Sequence, residues 1–204
     1  MLENVLQNMR SFEATYIEAG DLWKRTRKEI HETYKDPIAT SKLNEAKALY
    51  ESTLQEAREK GVSLAQEEFE KVKNDVMGVI TQAVPNDFTS TLEALKSSGG
   101  NISEIEANAY ISKYKGNYTA LKSLLNVLKE NGIMKQFNII SVDEVIGNIN
   151  DVMAQVNKFY YGYAPNTYET AIMTHEEGTM TQLNSYLSSF LEGGFYREEQ
   201  KGDN

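Results

Sequence analysis

The sequence contains no cysteine, two histidines, three prolines and one tryptophan among its 204 residues. The absence of cysteine excludes disulfide bonds, thiol nucleophiles and thiolate metal ligands. The length is sufficient for one or two domains with a buried core. The stability of such a chain must therefore come from packing and hydrogen bonding alone.

Long apolar runs are also missing. The longest convincing run is 137–142, far shorter than the roughly 20 residues that span a bilayer. Near the N-terminus, Glu3 stands where a signal peptide carries basic residues, and no apolar region follows it. We expect a soluble, cytoplasmic protein with no signal peptide and no membrane insertion.

Acidic residues exceed basic residues by 30 to 21, so the formal net charge is -9. An acidic surface repels phosphate backbones, which disfavours nucleic acid as a partner. The mean hydropathy of -0.52 and the apolar fraction of 40% are low for a compact globule. They are typical of elongated helical proteins with much solvated surface.

A heptad pattern runs through the first 35 residues. One set of positions, seven residues apart, holds Leu2, Met9, Tyr16, Trp23 and Ile30. The companion set, three residues later, holds Val5, Phe12, Ala19, Thr26 and Thr33. This pattern predicts one long amphipathic helix with a coiled-coil-like seam. The helix should end before Pro37, because proline disfavours the helical conformation of the residue that precedes it.

A second helical pattern extends over 38–84 and stops at Pro85. Two long helices joined by a proline turn favour an antiparallel hairpin over residues 1–84. The predicted seam of this hairpin consists of Met9, Phe12, Tyr16, Trp23, Ile30, Leu43, Tyr50, Ala57, Gly61 and Leu64.

Pairing positions whose numbers sum to about 73 gives the hairpin a register. Trp23 then lies against Tyr50 and is expected to be substantially buried. Phe12 lies against Gly61, so a large ring meets a residue without a side chain. This packing would explain a glycine inside a helix, which otherwise costs about 1 kcal/mol relative to alanine.

Shorter helices with capping signals follow Pro85. The segments 90–93 and 103–106 match the capping box, and Ser141 precedes a third helix. Leu121, Leu124, Leu125 and Leu128 are predicted to form the apolar stripe of one of these helices. A final helix is predicted from Glu176 to Leu191. We predict a compact helical bundle over 85–194 and a flexible tail over 195–204. The predicted fold class is all-α, and 137–142 is the one candidate for extended structure.

Motifs for catalysis are absent. The sequence has no G-x-S-x-G elbow and no glycine-rich phosphate loop. The segment His175-Glu176-Glu177 is the one dense group of potential metal ligands, but its spacing does not place two ligands on one helical face. Acids near a helix start are explained by the helix dipole. We predict no enzymatic activity, no metal and no cofactor, and an enzyme centred on His175 is the least favoured hypothesis.

A basic cluster and a tyrosine cluster are the remaining surface features. The basic cluster consists of Lys24, Arg25, Arg27 and Lys28. We interpret it as pairing with the acidic second helix rather than with nucleic acid. The tyrosine cluster consists of Tyr160, Tyr161, Tyr163 and Tyr168. Clustered tyrosines suit either a protein interface or the rim of a core, and both interpretations stay open.

In its composition, rich in Asn, Lys, Glu and Tyr, the chain resembles small acidic helical proteins of phages and prophages of low-GC Gram-positive bacteria. That resemblance implies a scaffolding or virion-structural role, through self-association or another protein, and a virion location if the protein is phage-encoded. The hairpin is also similar to secreted helical hairpins of Gram-positive bacteria, although their W-x-G turn is absent. The alternative function is a protein-binding adaptor that uses the tyrosine cluster.

Overall fold

The computed structural model describes residues 2–133, 137–162 and 169–198, and in the last range it describes the side chains of 177–197. Within these residues the fold is all-α, as predicted, with one short antiparallel pair of strands. The elements in chain order are α1 (Glu3–Thr33), α2 (Ile38–Ile80), α3 (Phe88–Ser98), α4 (Glu104–Tyr114), α5 (Tyr118–Glu130), β1 (Phe137–Ile139), α6 (Val142–Gly162), α7 (Glu169–Leu191) and β2 (Tyr196–Glu198).

The two long helices form where the sequence predicts them. α1 ends at Thr33, and the backbone of Tyr34 is extended. α2 begins directly after Pro37 and continues through Gly61 and Gly78 without a break. Proline therefore separates the helices, and the two internal glycines do not interrupt the second one.

α2 ends at Ile80, four residues before the predicted end at residue 84. Carbonyl oxygens in this region accept hydrogen bonds from side chains near the start of α5. Thr119 Oγ1 donates to Ile80 O at 3.0 Å, and Asn117 Nδ2 donates to Ala83 O at 2.9 Å. These bonds satisfy acceptors that a further helical turn would otherwise use, so the helix can end early.

The chain packs into two compact units. The first consists of Met1–Glu70 and Asn150–Thr181, and the second of Lys71–Ile149 and Gln182–Asn204. α2, α6 and α7 each supply residues to both units. The boundary predicted after residue 84 does not coincide with any of the three breaks in this division. Sequence periodicity follows helices one at a time, and these helices extend past the limits of a unit.

The core of the first unit combines α1 with parts of α2, α6 and α7. The ring of Phe12 packs edge-on against Phe159 and Tyr160, with centroid distances of 5.9 and 5.1 Å. At the surface, Arg10 and Glu177 form an ion pair at 2.7 Å. The buried apolar residues of this unit are Leu2, Val5, Met9, Phe12, Tyr16, Ile30, Ala39, Leu54, Ala65, Phe69, Val152, Val156, Phe159, Tyr160 and Met180.

The core of the second unit is centred on α5. Its predicted apolar stripe is fully buried and consists of Leu121, Leu124, Leu125 and Leu128. Tyr118 at the start of this helix packs against Phe190 and Phe195, at centroid distances of 5.9 and 5.5 Å. The leucines and the aromatic group together bury the apolar face of α5, which stabilises this unit.

Local capping explains several helix starts. Ser103 and Glu106 form the predicted capping box of α4, and Ser141 Oγ accepts from Glu144 N at 3.0 Å. The capping box predicted at 90–93 is wrong, because α3 begins earlier, at Phe88. The Ser90 hydroxyl donates to the Asp87 carbonyl at 2.9 Å instead of capping a new helix.

The chain that follows α7 forms β2 rather than a flexible tail. Ile140 N donates to Phe195 O at 2.9 Å, next to the pairing of β1 with β2. Phe195 is buried and packs against Phe190 at 5.1 Å. The predicted tail is therefore wrong for 195–198, because an aromatic anchor and a strand partner hold this segment. Residues 199–204 lie outside the described residues.

α7 begins at Glu169, seven residues before the predicted start at Glu176. The segment 169–175 contains neither glycine nor proline, so nothing in its backbone chemistry requires a later start. The start was predicted at Glu176 and Glu177 because acidic residues are favoured in the first turn of a helix. Acidic residues also occur inside helices, as these two do.

Candidate interaction surface

Burial changes abruptly along α1. Val5, Met9, Phe12 and Tyr16 are buried in the first half of the helix. We define the outer arm as residues 17–53, which comprise the second half of α1, the turn and the first part of α2. In the outer arm the buried apolar residues are Ile30 and Ala39. The outer arm is therefore a pair of helices with little enclosed core.

Trp23 and Tyr50 join the two helices of the outer arm. Their rings are stacked, with centroids 6.1 Å apart and an interplanar angle of 18°. This contact is the one that the predicted register requires. Most of the surface of Trp23 is covered, as predicted, although the residue does not belong to the fully buried core. Its ring lines an open groove instead of a closed seam.

The open groove lies between α1 and α2 and has a volume of about 300 Å³. Leu22 and Leu49 line this groove, and 54% and 65% of their respective surfaces are exposed to solvent. We call it the outer groove, and its lining residues are Thr15, Glu18, Ala19, Leu22, Trp23, Thr26, Ala46, Leu49, Tyr50 and Thr53. Apolar and small side chains dominate this lining.

A second depression continues the outer groove towards the turn. It shares Thr26, Ala46 and Leu49 with the outer groove. At this end Lys42 and Glu45 form an ion pair at 2.9 Å. The hydrogen bond between them raises the pKa of Lys42 and lowers the pKa of Glu45, so both side chains stay charged over a wide pH range. The apolar surface is thus bordered by charge near the turn.

The basic cluster lies on the outer arm, and two of its members pair within α1. Lys24 Nζ lies 3.3 Å from Asp21, and Lys28 Nζ lies 3.8 Å from Glu32. The prediction that this cluster pairs with the second helix is wrong for these two lysines. Acids three and four residues away on the same helix are simply closer. All four side chains are well exposed, so these pairs stabilise the helix weakly.

Gly61 faces Tyr160 rather than Phe12. A Cβ atom at position 61 would clash with Cε1 of Tyr160 and lie 2.8 Å from Cζ of the same ring. Asn8 Nδ2 donates to Gly61 O at 2.9 Å, and Arg58 Nε donates to Tyr160 O at 2.9 Å. The glycine therefore does have a packing role, as predicted, but the ring that requires it comes from α6.

The other members of the predicted seam are divided between core and surface. Leu43, Tyr50 and Ala57 are half-buried, while Leu64 is 39% exposed. Leu64 was predicted to meet Met9, but the neighbouring Ala65 is buried in its place. Adjacent helix positions differ by 100° in direction, so covering the face that holds Ala65 leaves Leu64 outside.

The tyrosine cluster is not one surface. Tyr160 is fully buried, and burial raises the pKa of its phenol far above the ordinary value. Tyr161 is 64% exposed and lies over the guanidinium of Arg58 at 5.7 Å. Tyr163 and Tyr168 lie outside the described residues. Tyr160 is therefore a core residue, and the prediction that it contributes to an interaction surface is wrong.

Leu22 and Leu49 were not predicted as surface residues of functional interest. Neither belongs to the predicted seam, because each stands next to a seam position, Trp23 or Tyr50. The available signal was the width of the apolar stripe. Large apolar residues directly beside both seam aromatics widen it beyond what a two-helix seam needs.

Among the residues whose side chains are described, no group of three or more acids and histidines is arranged to hold a metal ion. The side chain of His175 lies outside those residues, and His31 is exposed at the end of α1. Within the described helices, none is both long and apolar enough to cross a membrane.

No protein-family model, no curated protein and no solved structure matches this chain. Any functional conclusion therefore depends on the surface itself.

Proposed function

We propose that this protein is a non-enzymatic assembly protein whose outer groove binds another protein chain. The observation that supports the proposal most directly is the exposure of Leu22 and Leu49 beside the stacked pair of Trp23 and Tyr50. Burying these four side chains against a partner would remove apolar surface from water, which is the main driving force of association.

Aromatic side chains suit this role because they bury a large area with few rotatable bonds. Trp23 and Tyr50 already hold each other in place by stacking, so their ordering costs little when a partner binds. Ala19 and Ala46 line the groove with small side chains, which would let a partner helix pack closely against it. Helix-in-groove recognition uses this combination of anchors and small residues.

A phage scaffolding or virion-structural role, which the compositional resemblance implies, depends on helical surfaces of this kind. The adaptor that would use the tyrosine cluster has less support. Its residue Tyr160 is enclosed in the core, and only Tyr161 is exposed among the described members of the cluster.

Site-specific photo-crosslinking tests the proposal. A photoreactive phenylalanine analogue would replace Leu22 or Leu49 in the full chain, expressed in the organism that encodes it. The control position is Lys47, which is exposed on α2 and does not line the groove. We expect covalent protein adducts from positions 22 and 49 and none from position 47. Absence of adducts at both groove positions, in cells where the variants accumulate normally, would contradict the proposal.

A further inference from the structure

We propose that the partner in the outer groove is a second copy of this chain, so that two outer arms form an antiparallel four-helix arrangement. The symmetry axis would cross the helices at the level of Leu22 and Leu49, and each α1 would run antiparallel to α1 of the second copy. This inference depends on the proposed function, because it names the protein that the groove binds.

The apolar centre of the groove is suited to such an axis. Leu22 and Leu49 are the most exposed apolar residues on it, and at the axis each would meet its own copy. Trp23 and Tyr50 place α1 and α2 at the same level, because their rings are stacked. One axis can therefore pass beside both leucines.

The α1 charges within six residues of Leu22 on this side of the helix have opposite sign before and after it. Glu18 and Asp21 precede it and Arg25 and Lys28 follow it, while the acids Glu29 and Glu32 come after these bases. Glu18, Asp21 and the two bases are exposed, and helix geometry places them on the same side of the groove. An antiparallel copy centred on Leu22 brings the acids of one chain within about one helical turn of the bases of the other. The surface is thus complementary to itself.

α2 offers one further charge contact. Lys42 precedes Leu49 by seven residues and pairs with Glu45 in its own helix, and Glu56 follows Leu49 by seven. Two-fold symmetry at Leu49 places Lys42 of one copy opposite Glu56 of the other. Because Trp23 lies level with Tyr50, the axes suggested by the two helices differ by two residues, or about 3 Å, which is less than one helical turn.

The other symmetric way to join two hairpins sets each α1 against α2 of the second copy. In that arrangement Glu18 lies at the level of Gln55 and Glu56, since Trp23 lies at the level of Tyr50. Glu18 would then approach Glu56, and like charges at a contact oppose association. Lys28 would lie level with Glu45, but Glu45 is already paired with Lys42. The two arrangements also differ in the expected effect of Glu18→Lys/Asp21→Lys, which should weaken the dimer with α1 against α1 and strengthen the dimer with α1 against α2.

Charge reversal and mixing test the arrangement by sedimentation velocity on the full chain. One variant is Glu18→Lys/Asp21→Lys, and the other is Arg25→Glu/Lys28→Glu. Each variant alone should dimerise at least about tenfold more weakly than the parent chain, because like charges then meet across the axis. An equimolar mixture should recover dimers to within about threefold of the parent, because both charge contacts become favourable in the heterodimer.

The two-residue variants separate the two orientations of α1. The variant that combines all four reversals is their control, and with α1 antiparallel to α1 it should dimerise as well as the parent, because acids and bases have only exchanged sides. If the two α1 helices ran parallel, residues of the same number would meet, and neither two-residue variant would dimerise more weakly than the parent. That second result would overturn the proposed arrangement. Circular dichroism of each variant checks that the helices remain folded.

Single cysteines give a second readout, because the natural chain has none. Leu22→Cys should form a disulfide-linked dimer under mild oxidation, while Lys47→Cys, outside the groove, should stay monomeric. A parent chain that remains monomeric at millimolar concentration would overturn the dimer. The photo-crosslinks would then carry the mass of a different protein if the proposed function is correct, and would be absent if the proposed function is wrong as well.

Discussion

At the scale of single residues, Gly61 and Tyr160 show how one missing side chain permits a helix contact. The ring of Tyr160 occupies the space where any other residue at position 61 would place its Cβ atom. The ring itself is held by Phe12 and Phe159, which pack against it at 5.1 and 5.4 Å. The ring cannot move aside without disturbing both neighbours, so this close approach of α2 and α6 depends on glycine.

We predict that Gly61→Ala destabilises the protein by about 1–3 kcal/mol, although alanine is the better helix former. The reason is the clash between the new Cβ and the ring of Tyr160. Urea denaturation followed by circular dichroism measures the free energy of unfolding. The matched control is Gly20→Ala, since position 20 is also helical and a Cβ atom there would meet no side chain and no other helix within 4 Å. The control should stabilise by about 0.5–1 kcal/mol, and equal effects at both positions would contradict the packing argument.

Asn117 is a buried polar residue with two structural bonds. Its Oδ1 atom accepts from the backbone of Ala120 at the start of α5, and its Nδ2 atom donates to the carbonyl of Ala83 after α2. One side chain therefore caps one helix and satisfies a carbonyl close to the end of another. Both partners would be left without this bond if the amide were removed.

We predict that Asn117→Ala costs about 2 kcal/mol, because it removes a helix cap, leaves the N–H of the buried Ala120 unpaired and removes the bond to the carbonyl of the exposed Ala83. Asn117→Asp keeps the acceptor for Ala120 and loses the donor to Ala83, so it should cost less than alanine near pH 7. Thermal and chemical denaturation of both variants measure the difference. An aspartate variant that is as unstable as the alanine variant would show that the bond to Ala83 outweighs the cap.

At the scale of elements, α1 is one helix with two different environments. Its first half is enclosed by other helices of the first unit, while its second half shares a groove with α2. Helices gain most of their stability from the burial of an apolar face rather than from intrinsic propensity. The two halves of α1 should therefore contribute unequally to the stability of the protein.

We predict that Met9→Ala destabilises the protein by about 2–4 kcal/mol, because Met9 is fully enclosed. The double variant Leu22→Lys/Leu49→Lys should change the free energy of unfolding by less than about 1 kcal/mol, since both leucines are more than half exposed. The same double variant should abolish association through the outer groove. Denaturation at a concentration where the parent chain is monomeric measures stability apart from binding. A large loss of stability in the double variant would mean that these leucines belong to the fold.

Helices and their ends were predictable where the signals are local. Pro37 separates the long helices, the capping box at Ser103 starts α4, and the leucine stripe of α5 is buried as expected. The partner of Gly61 was not predictable, because Tyr160 lies about 100 residues further along the chain. Heptad spacing predicts the contacts between two helices. It does not predict that a third helix, α6, packs against one part of that pair and leaves the other part uncovered. The strand β2 was missed for the same reason, since its partner β1 is remote in sequence.

The candidate surface was predictable only in part. Heptad spacing identified Trp23 and Tyr50, because apolar periodicity records which residues turn towards a neighbouring helix. It could not show that the groove between the helices remains open, since closure depends on where α6 and α7 extend. For the same reason, the sequence did not separate Tyr160, which is enclosed, from Tyr161, which is exposed.

At the scale of the whole molecule, buried phenols should determine how stability responds to alkaline pH. Burial raises the pKa of Tyr118 and of Tyr160, and it raises the pKa of Tyr186 to about 12. The unfolded chain ionises its tyrosines near pH 10. The folded state therefore holds protons that the unfolded state releases above that pH, and this difference stabilises the unfolded state.

We predict that the free energy of unfolding is unaffected by these phenols below about pH 9 and falls as the pH rises through 10 to 12. Urea denaturation at pH 8, 10 and 11 measures the decline. Tyr160→Phe should reduce its slope, because one of the contributing phenols is gone. Tyr161→Phe, which removes an exposed phenol, controls for the total number of tyrosines. An identical slope in the parent chain and in Tyr160→Phe would contradict the assignment to Tyr160.

The composition of the first unit has a consequence for the order of events during synthesis. This unit needs Met1–Glu70 and also Asn150–Thr181, so roughly 80 residues must be translated between its two parts. At about 5–20 residues per second, the ribosome takes on the order of 10 s to do so. During that interval Met9, Phe12 and Gly61 have emerged while Tyr160 does not yet exist. The apolar face of α1 that α6 covers in the folded unit is exposed during this interval. Nascent chains translated from the same mRNA can associate through that face.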